Sequence, residues 1–208
     1  MKKKLLLSSL FLFTLFLMCC VKDRVGNPDA ILAKDGPRVT IYSENFDSSL
    51  SLPSGWTASP SSGGWKPAAT NPSTGYTNAS GINNLDISNA TGTVGDFSVT
   101  SKEIVTTNLK NISVTFAARN SSNFSSTGSS ITGFAYSVNG GSTWTDLSYS
   151  QNPGDSNWYL VNNSVPITLS SDADNKASVM FRWSAHLESA ASGSYRIDDF
   201  QVTGTQIL

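Results

Sequence analysis

The sequence predicts an all-β chain folded as a two-sheet antiparallel β-sandwich, and three observations lead to this fold class. Short runs of alternating apolar and polar residues recur from Arg38 to the C-terminus, as in strands with one buried face. Ser, Thr, Asn and Gly dominate the connections between these runs. No stretch shows a 3.6-residue amphipathic repeat longer than two turns. About ten short strands without intervening helices are typical of a sandwich.

Three runs show the alternation most clearly. One places Ile112, Val114, Phe116 and Ala118 on a single face, and the other two do the same for Phe134-Tyr136-Val138 and for Val179-Phe181-Trp183. Because these faces are regular, we expect them to form the core between the sheets. The other predicted strands are Val39–Phe46, Leu85–Ser88, Phe97–Ser101, Trp144–Leu147, Trp158–Val161, Val165–Leu169 and Tyr195–Val202.

One tight turn is predicted between two of these strands. Asn139-Gly140 follows Val138 and precedes the run that begins at Trp144. A type I′ turn needs two residues with positive φ, and Asn-Gly is the preferred pair. The sequence therefore predicts a hairpin with its turn at Asn139-Gly140.

A β-bulge is predicted in the last strand. Tyr195 and Ile197 share one alternation phase, whereas Phe200 and Val202 share the other. If both pairs face the core, one extra residue must be accommodated at Asp198-Asp199. As chain neighbours, the two carboxylates are expected to point to different faces of the sheet.

The N-terminus has the pattern of an export signal. Lys2, Lys3 and Lys4 precede an apolar run from Leu5 to Met18, which is too short to span a bilayer comfortably. The ending Leu17-Met18-Cys19-Cys20 resembles the lipobox of bacterial lipoproteins, with Cys20 as the lipidated residue. Two alternatives remain open: lipidation at Cys19, and an ordinary cleaved signal peptide.

These patterns divide the chain into three segments. Residues 1–19 are the predicted lipoprotein signal peptide, 20–37 a lipidated tether and 38–208 the sandwich domain. Lys22-Asp23 partly resembles the tag that sends Bacteroidetes lipoproteins to the cell surface. The expected location is therefore the cell envelope, with the protein anchored to the outer membrane by lipid alone and exposed at the surface.

Composition disfavours several classes of function. Fourteen basic residues against 15 acidic ones leave no excess charge for binding nucleic acid. The one histidine, His186, cannot form a multi-histidine metal site, and no nucleophile-elbow motif accompanies it. We therefore expect a non-catalytic protein, with His186 as a surface residue.

Four segments stand out in order along the chain: Glu44–Phe46 with Leu52–Trp56, then Phe97–Ser101, Tyr136–Trp144 and Tyr195–Val202. Together they resemble a family of bacterial surface modules. The family is the MAM-like jelly-roll group known as cleaved-adhesin or choice-of-anchor J domains, related in fold to galactose-binding-like carbohydrate-binding modules. The resemblance implies a jelly-roll sandwich that serves adhesion or glycan binding without catalytic residues.

The same resemblance implies one structural calcium ion. Related jelly rolls bind calcium with an acidic residue of the first strand and an aspartate of the last. The matching residues are Glu44, Asp47, Asp198 and Asp199. Calcium takes six to eight oxygen ligands, so backbone carbonyls and water would have to complete the shell. An exposed acidic strand end without a metal is the alternative.

Aromatic residues in or beside the loops are the candidate ligand-binding residues, because aromatic rings stack on sugars. Trp65, between Gly63-Gly64 and Pro67, is the first of them to test. Burial at the sandwich edge is the alternative for each. Trp144 and Trp183 fall on core phases instead. The candidates are Trp56, Trp65, Tyr76, Tyr149, Trp158 and Tyr159.

Two functions follow from this sequence. The first is a surface-anchored module that binds a glycan or a host or envelope glycoprotein. The second is a structural or assembly lipoprotein that docks on another envelope protein, for which a contiguous exposed apolar patch would be needed.

Overall fold

The structure, a computed structural model, describes residues 35–88, 94–188 and 193–208. In this part of the chain twelve strands are connected by loops, one five-residue helix and two short 3₁₀ helices at Asn162–Ser164 and Ser171–Ala173. The elements are β1 Arg38–Glu44, β2 Thr57–Ser59, β3 Lys66–Ala68, β4 Asn84–Ser88, β5 Gly95–Thr100, β6 Leu109–Asn120, α1 Ser122–Ser126, β7 Ser130–Ser137, β8 Thr145–Asp146, β9 Trp158–Leu160, β10 Ile167–Thr168, β11 Met180–Leu187 and β12 Ser194–Gln206.

The strands form two sheets in which every pair is antiparallel. The first sheet has seven strands, with the long strands β6 and β12 paired at its centre. On the other side of β12, β4 and β1 pair with successive parts of the strand, and β3 pairs with β4. On the other side of β6, β9 and β10 pair with different parts of that strand. The second sheet has five strands in the order β2-β5-β11-β7-β8. The predicted two-sheet antiparallel sandwich is confirmed.

An aromatic cluster joins the two sheets. Trp183 of the second sheet stacks on Phe134 with ring centroids 4.6 Å apart. It also meets Phe200 and Phe116 of the first sheet edge to face, at 5.0 and 5.4 Å. All four side chains are at most 1% exposed. The predicted apolar faces therefore supply the core.

The ten strands predicted from the sequence are all present, and in the described residues the structure adds two short strands, helix α1 and the two 3₁₀ helices. Strands β2 (TAS) and β3 (KPA) contain no large apolar residue, so no apolar alternation marks them in the sequence. Helix α1 lies in the connection expected to be loop, and its one apolar anchor is the buried Phe124.

The predicted bulge in β12 is confirmed. The register with β6 shifts between Asp198 and Gln201, and Asp199 has a φ of 49°. Residues Tyr195, Ile197, Phe200 and Val202 are all fully buried, so the bulge keeps both phases on the core side. At the bulge β12 also exchanges β4 for β1 as its neighbour.

The turn predicted at Asn139-Gly140 is wrong in detail. Positive φ values occur at Gly140 and Gly141, and the last paired residues of the hairpin are Tyr136 and Thr145. The loop is wider than a two-residue turn because the Asn139 side chain bridges it: its Oδ1 accepts from the Thr143 backbone N–H at 3.0 Å and from the Ser137 hydroxyl at 2.9 Å.

The predicted signal peptide and the lipidation site Cys20 lie outside the described residues, as does most of the predicted tether. The last tether residues are described, and they continue the β1–β12 ladder: the Gly36 N–H donates to the Gln206 carbonyl at 3.0 Å. Within the described ranges no helix is long and apolar enough to cross a membrane.

Candidate functional site

A groove on the first sheet is the candidate functional site. It consists of two adjoining cavities, of about 450 and 670 Å³, which share the residues Gly75, Trp158 and Tyr159. One wall is the loop of residues 71–77, and the other is β9 with the loop of residues 151–157 that precedes it. Strand β9 lies at the sheet edge, which leaves the groove open to solvent.

Two adjacent aromatic residues of β9 have different roles in the groove. Trp158 is 6% exposed, and its Nε1–H donates to the Asn71 carbonyl at 3.2 Å, which joins the two walls. Tyr159 is 38% exposed and lines both cavities. The groove therefore has one buried and one accessible aromatic side chain.

The Tyr159 ring is fixed by its own loop. Its hydroxyl donates to Asp155 Oδ2 at 2.6 Å. This hydrogen bond lowers the pKa of Asp155 and raises that of Tyr159. The buried Asn152 holds the same loop, because its Nδ2 donates to the carbonyls of Ala118 and Tyr159 at 2.7 and 3.0 Å. The exposed ring is therefore held in place before any ligand arrives.

Tyr76 lines the opposite wall, where it is half-buried. Its hydroxyl donates to Asp199 Oδ2 at the β12 bulge. Burial raises the pKa of this phenol, and the hydrogen bond to the Asp199 carboxylate adds to the effect. The bulge thus positions the wall of the groove.

The structure brings together three of the aromatic candidates, Tyr76, Trp158 and Tyr159, at this groove. Two others lie in the core. Trp56 is 5% exposed and stacks on Trp183, with centroids 5.9 Å apart, and Trp65 is 3% exposed. Their burial corresponds to the alternative that the sequence left open.

Two aromatic residues outside the groove, Tyr149 and Trp144, are half-buried. Tyr149 packs against Phe116 and Phe134, with centroids 5.7 and 5.9 Å apart. Trp144, expected in the core, is half-buried because it lies in the wide hairpin loop. The Arg182 guanidinium covers its ring at 4.2 Å. Trp183 is fully buried, as expected.

Sequence reasoning missed Arg119 as a groove residue. Its only signal was its place on the outward phase of β6, after Ser113, Thr115 and Ala117. Arg119 lines the first cavity together with Asn157 and Trp158. Burial lowers the pKa of Arg119, and the charge of Asp86 opposes that effect.

The acidic residues expected to hold calcium lie around the β12 bulge. Asp198 is fully buried, and its pKa is raised to about 7, chiefly by burial and in part by the charges of Asp199 and Asp47. The expectation that Asp198 and Asp199 point apart is wrong, because the positive φ of Asp199 brings its carboxylate to the same side as that of Asp198. Both carboxylates contact Ser80: its hydroxyl donates to Asp198 Oδ2 at 3.4 Å, and its backbone N–H donates to Asp199 Oδ2 at 3.1 Å.

The other two residues of the expected calcium set have local partners. Asp47 Oδ1 accepts from the Asn83 N–H at 2.7 Å, and Glu44 Oε1 accepts from the Phe46 N–H at 2.8 Å. In the described part of the chain, no three His, Cys, Asp or Glu side chains form a group that could hold a metal by themselves. Backbone or hydroxyl oxygens would have to contribute.

His186 lies on the second sheet, away from the groove. Its Nδ1 is 2.6 Å from Asp96 Oδ1, and its Nε2 is 3.1 Å from Glu188 Oε1. Both carboxylates raise its pKa, with Asp96 having the larger effect. The residue is partly exposed, in agreement with its expected surface position.

Solved structures with the same fold include bacterial adhesin and carbohydrate-binding domains. The K2 cleaved adhesin domain of Lys-gingipain is 17% identical, with a TM-score of 0.53 over 80% of this chain and 99% of that domain. The K3 domain, from Porphyromonas gingivalis, is 12% identical, with a TM-score of 0.52 over 80% and 99%. The xylan-binding domain CBM22-1 of Xyn10C from Paenibacillus barcinonensis is 16% identical, with a TM-score of 0.50 over 83% and 99%.

These similarities confirm the jelly-roll sandwich that the sequence predicted. At such low identity they establish the fold alone. No curated protein sequence matches the chain. A family model does match: Reelin subrepeat B, over residues 88–203. This range includes Arg119, Trp158 and Tyr159 of the groove and the bulge of β12. Since the match extends over more than half of the sequence, the chain belongs to the Reelin subrepeat B family.

Proposed function

We propose that this chain is a non-catalytic, cell-surface binding module that recognises a glycan, free or on a glycoprotein, in the groove beside β9. The observation that carries the proposal is the exposed, fixed ring of Tyr159 in an open groove with polar walls. Sugars bind through contact between their apolar faces and aromatic rings, combined with hydrogen bonds to nearby polar groups.

The walls supply the polar groups. Gln151, Asn157 and Asn163 line the groove together with Thr74 and Thr77. Amide and hydroxyl side chains both donate and accept hydrogen bonds, as sugar hydroxyls do. The groove is open rather than closed, which suits one segment of a longer chain of sugars.

The fixed loop favours binding. Ordering a loop or a side chain on binding costs free energy, and a ring that is already held avoids part of that cost. The bonds from Tyr159 to Asp155 and from Asn152 to two backbone carbonyls supply this order. The xylan-binding domain with the same fold supports the proposal by analogy.

A glycan array tests the proposal. The full chain, purified in detergent, is expected to bind a defined set of glycans, and Tyr159→Ala is expected to weaken binding by about 10-fold or more, as loss of one stacking ring costs on the order of 1–2 kcal/mol. Trp144→Ala is the matched control, since it removes a half-buried ring from the other sheet. A blank array would contradict the proposal and favour docking on an envelope protein.

We propose further that lipid at Cys20 tethers residues 38–208 to the outer membrane, exposed at the cell surface. Metabolic labelling with an alkyne fatty acid would test the anchor. Cys20→Ser is expected to abolish labelling, whereas Cys19→Ser retains it. Labelling lost only in Cys19→Ser would move the site to Cys19. Protease treatment of intact cells would test surface exposure.

We also propose a structural calcium ion at the β12 bulge. Asp198 and Asp199, with Asp47 close enough to raise the pKa of Asp198, supply hard oxygen donors of the kind that calcium prefers. A buried carboxylate beside like charges is unfavourable, and a bound divalent cation would relieve that cost. Isothermal titration calorimetry at pH 8 is expected to show that one calcium ion binds per chain. This binding is expected to be lost in Asp198→Asn. Absence of binding would contradict the proposal.

A further inference from the structure

Basic residues dominate one cross-strand row on the outer face of the first sheet. The row runs across five strands, and each member is the direct antiparallel partner of the next. It carries three cations and a single carboxylate, and it ends at the groove. Its members are Lys66, Asp86, Arg196, Arg119 and Trp158.

The single carboxylate of the row is closest to Arg196. Arg196 Nη2 lies 3.3 Å from Asp86 Oδ1, and both side chains are buried. Arg196 Nη1 also donates to the Thr70 carbonyl and to Asn84 Oδ1, at 2.9 Å each. Arg196 is therefore committed to a structural role beneath the loop that forms one wall of the groove.

Arg119 has no such commitment. Among the described residues its guanidinium makes no hydrogen bond and no ion pair, although the side chain is half-buried. Its nearest strand neighbours in the row are Arg196, a like charge, and Trp158. Asp155, the acidic residue of the adjacent loop, accepts a hydrogen bond from the Tyr159 hydroxyl and forms no ion pair with Arg119. The groove thus contains a partly desolvated cation without a direct ion pair, because Asp86, the carboxylate whose charge acts on it, is paired with Arg196.

We propose that the groove selects glycans that contain uronic acid, with the sugar carboxylate paired to Arg119 and a sugar ring against Tyr159. This inference rests on the proposed glycan-binding function and names its ligand class. A guanidinium presents parallel N–H groups that match a carboxylate, and such pairs are stronger away from bulk water. A neutral sugar would cover Arg119 without supplying a counter-charge, which is costly.

The experiment compares each acidic ligand with its own neutral form. Affinities of the full chain are measured for oligogalacturonate, for its methyl ester, and for a hyaluronan oligosaccharide as a second uronate. The expected result is binding of at least one uronate, with loss of about 10-fold or more in affinity when the carboxylate is esterified or absent. A sulfated galactan without uronate is expected to bind more weakly.

Two variants assign the effect to Arg119. Arg119→Gln is expected to remove the preference for the acid over the ester, while Arg119→Lys keeps part of it. Arg182→Gln removes the same charge from the second sheet and is expected to leave the preference unchanged. The melting temperature of each variant, measured alongside, shows that it remains folded.

The other outcomes separate the two proposals. Equal binding of acid and ester, or tighter binding of the sulfated galactan, would overturn the selection of uronates. If Tyr159→Ala still weakens that binding, the proposed glycan-binding function remains supported. No binding of any sugar would overturn both. A preference for the acid that survives Arg119→Gln would overturn the assignment to this residue.

Discussion

At the scale of single residues, Asp198 gives the clearest expectation. Its pKa is raised to about 7 in the folded chain, against about 4 when unfolded. The folded state therefore binds more protons than the unfolded state between these two values. Stability must then fall as the pH rises from about 4 to about 7, in the absence of a bound cation.

Asp198→Asn tests this expectation, because it removes the charge and keeps a side-chain oxygen as acceptor. In the wild type the Asp199 N–H donates to Asp198 Oδ1 at 2.8 Å. In EDTA the variant is expected to be more stable than the wild type at pH 8, and the difference should shrink at pH 5. Urea unfolding at the two pH values measures it. An equal difference at both would contradict the raised pKa.

His186 has a separate pH dependence. Its raised pKa reflects the Asp96 and Glu188 carboxylates, so the charged imidazolium stabilises the folded state. This contribution is fully present below the unfolded pKa of about 6.5 and is lost as the pH rises through the higher folded value. His186→Gln in the Asp198→Asn background is expected to flatten the remaining decline in stability above pH 6.5. An unchanged decline would show that other groups cause it.

At the scale of elements, the bulge of β12 connects the core to the groove wall. Asp199 accepts hydrogen bonds from the Tyr76 hydroxyl and from the Ser80 N–H. Asp199→Ala removes Oδ2, the acceptor of both hydrogen bonds, and places alanine at positive φ, so we expect a loss of about 1–3 kcal/mol in stability and faster amide exchange at residues 76–80.

Asp199→Asn is the matched variant for this element. Asparagine tolerates the left-handed conformation and retains one acceptor, so its effect should be smaller than that of alanine. Hydrogen-exchange mass spectrometry of the loop measures both. Equal protection in the wild type and in Asp199→Ala would show that the bulge does not hold this wall.

Elements with a local signature could be predicted from the sequence. The bulge was predictable because the apolar alternation shifts by one residue between Ile197 and Phe200. Both sets of apolar residues can face the core only if a β-bulge accommodates the extra residue. The Asn139-Gly140 turn was predicted too tightly because side-chain bridges by Asn139 compete with backbone turn geometry. Strand β2 was missed because its residues, Thr57–Ser59, include no large apolar side chain that could reveal an alternation.

At the scale of the whole molecule, the core depends on contacts between the two sheets. Trp183 packs on aromatic rings of both sheets, so truncation leaves a cavity that neither sheet can fill. Trp183→Ala is expected to cost about 3–5 kcal/mol in the free energy of unfolding. Trp144→Ala, at the half-buried hairpin, should cost about 1 kcal/mol or less. Similar losses in urea unfolding would contradict this description of the core.

The groove is also a property of the whole molecule, and for this reason the sequence predicted it only in part. Its aromatic residues were recognisable one by one, but their meeting depends on bringing residues 71–77, Arg119 and residues 151–160 together. These segments are distant along the chain. Trp65, the first choice from its glycine-rich context, is buried because Gly64 packs closely against Phe97.

Chemical-shift mapping shows directly whether this groove binds a glycan. The full chain in detergent, labelled with ¹⁵N, is titrated with the oligosaccharide bound most tightly in the glycan panel. We predict that the shifted amides cluster at residues 71–77, at Arg119 and at residues 156–160, and that Tyr159→Ala suppresses the shifts. Shifts clustered on the second sheet, or no shifts with any glycan of the panel, would contradict the account.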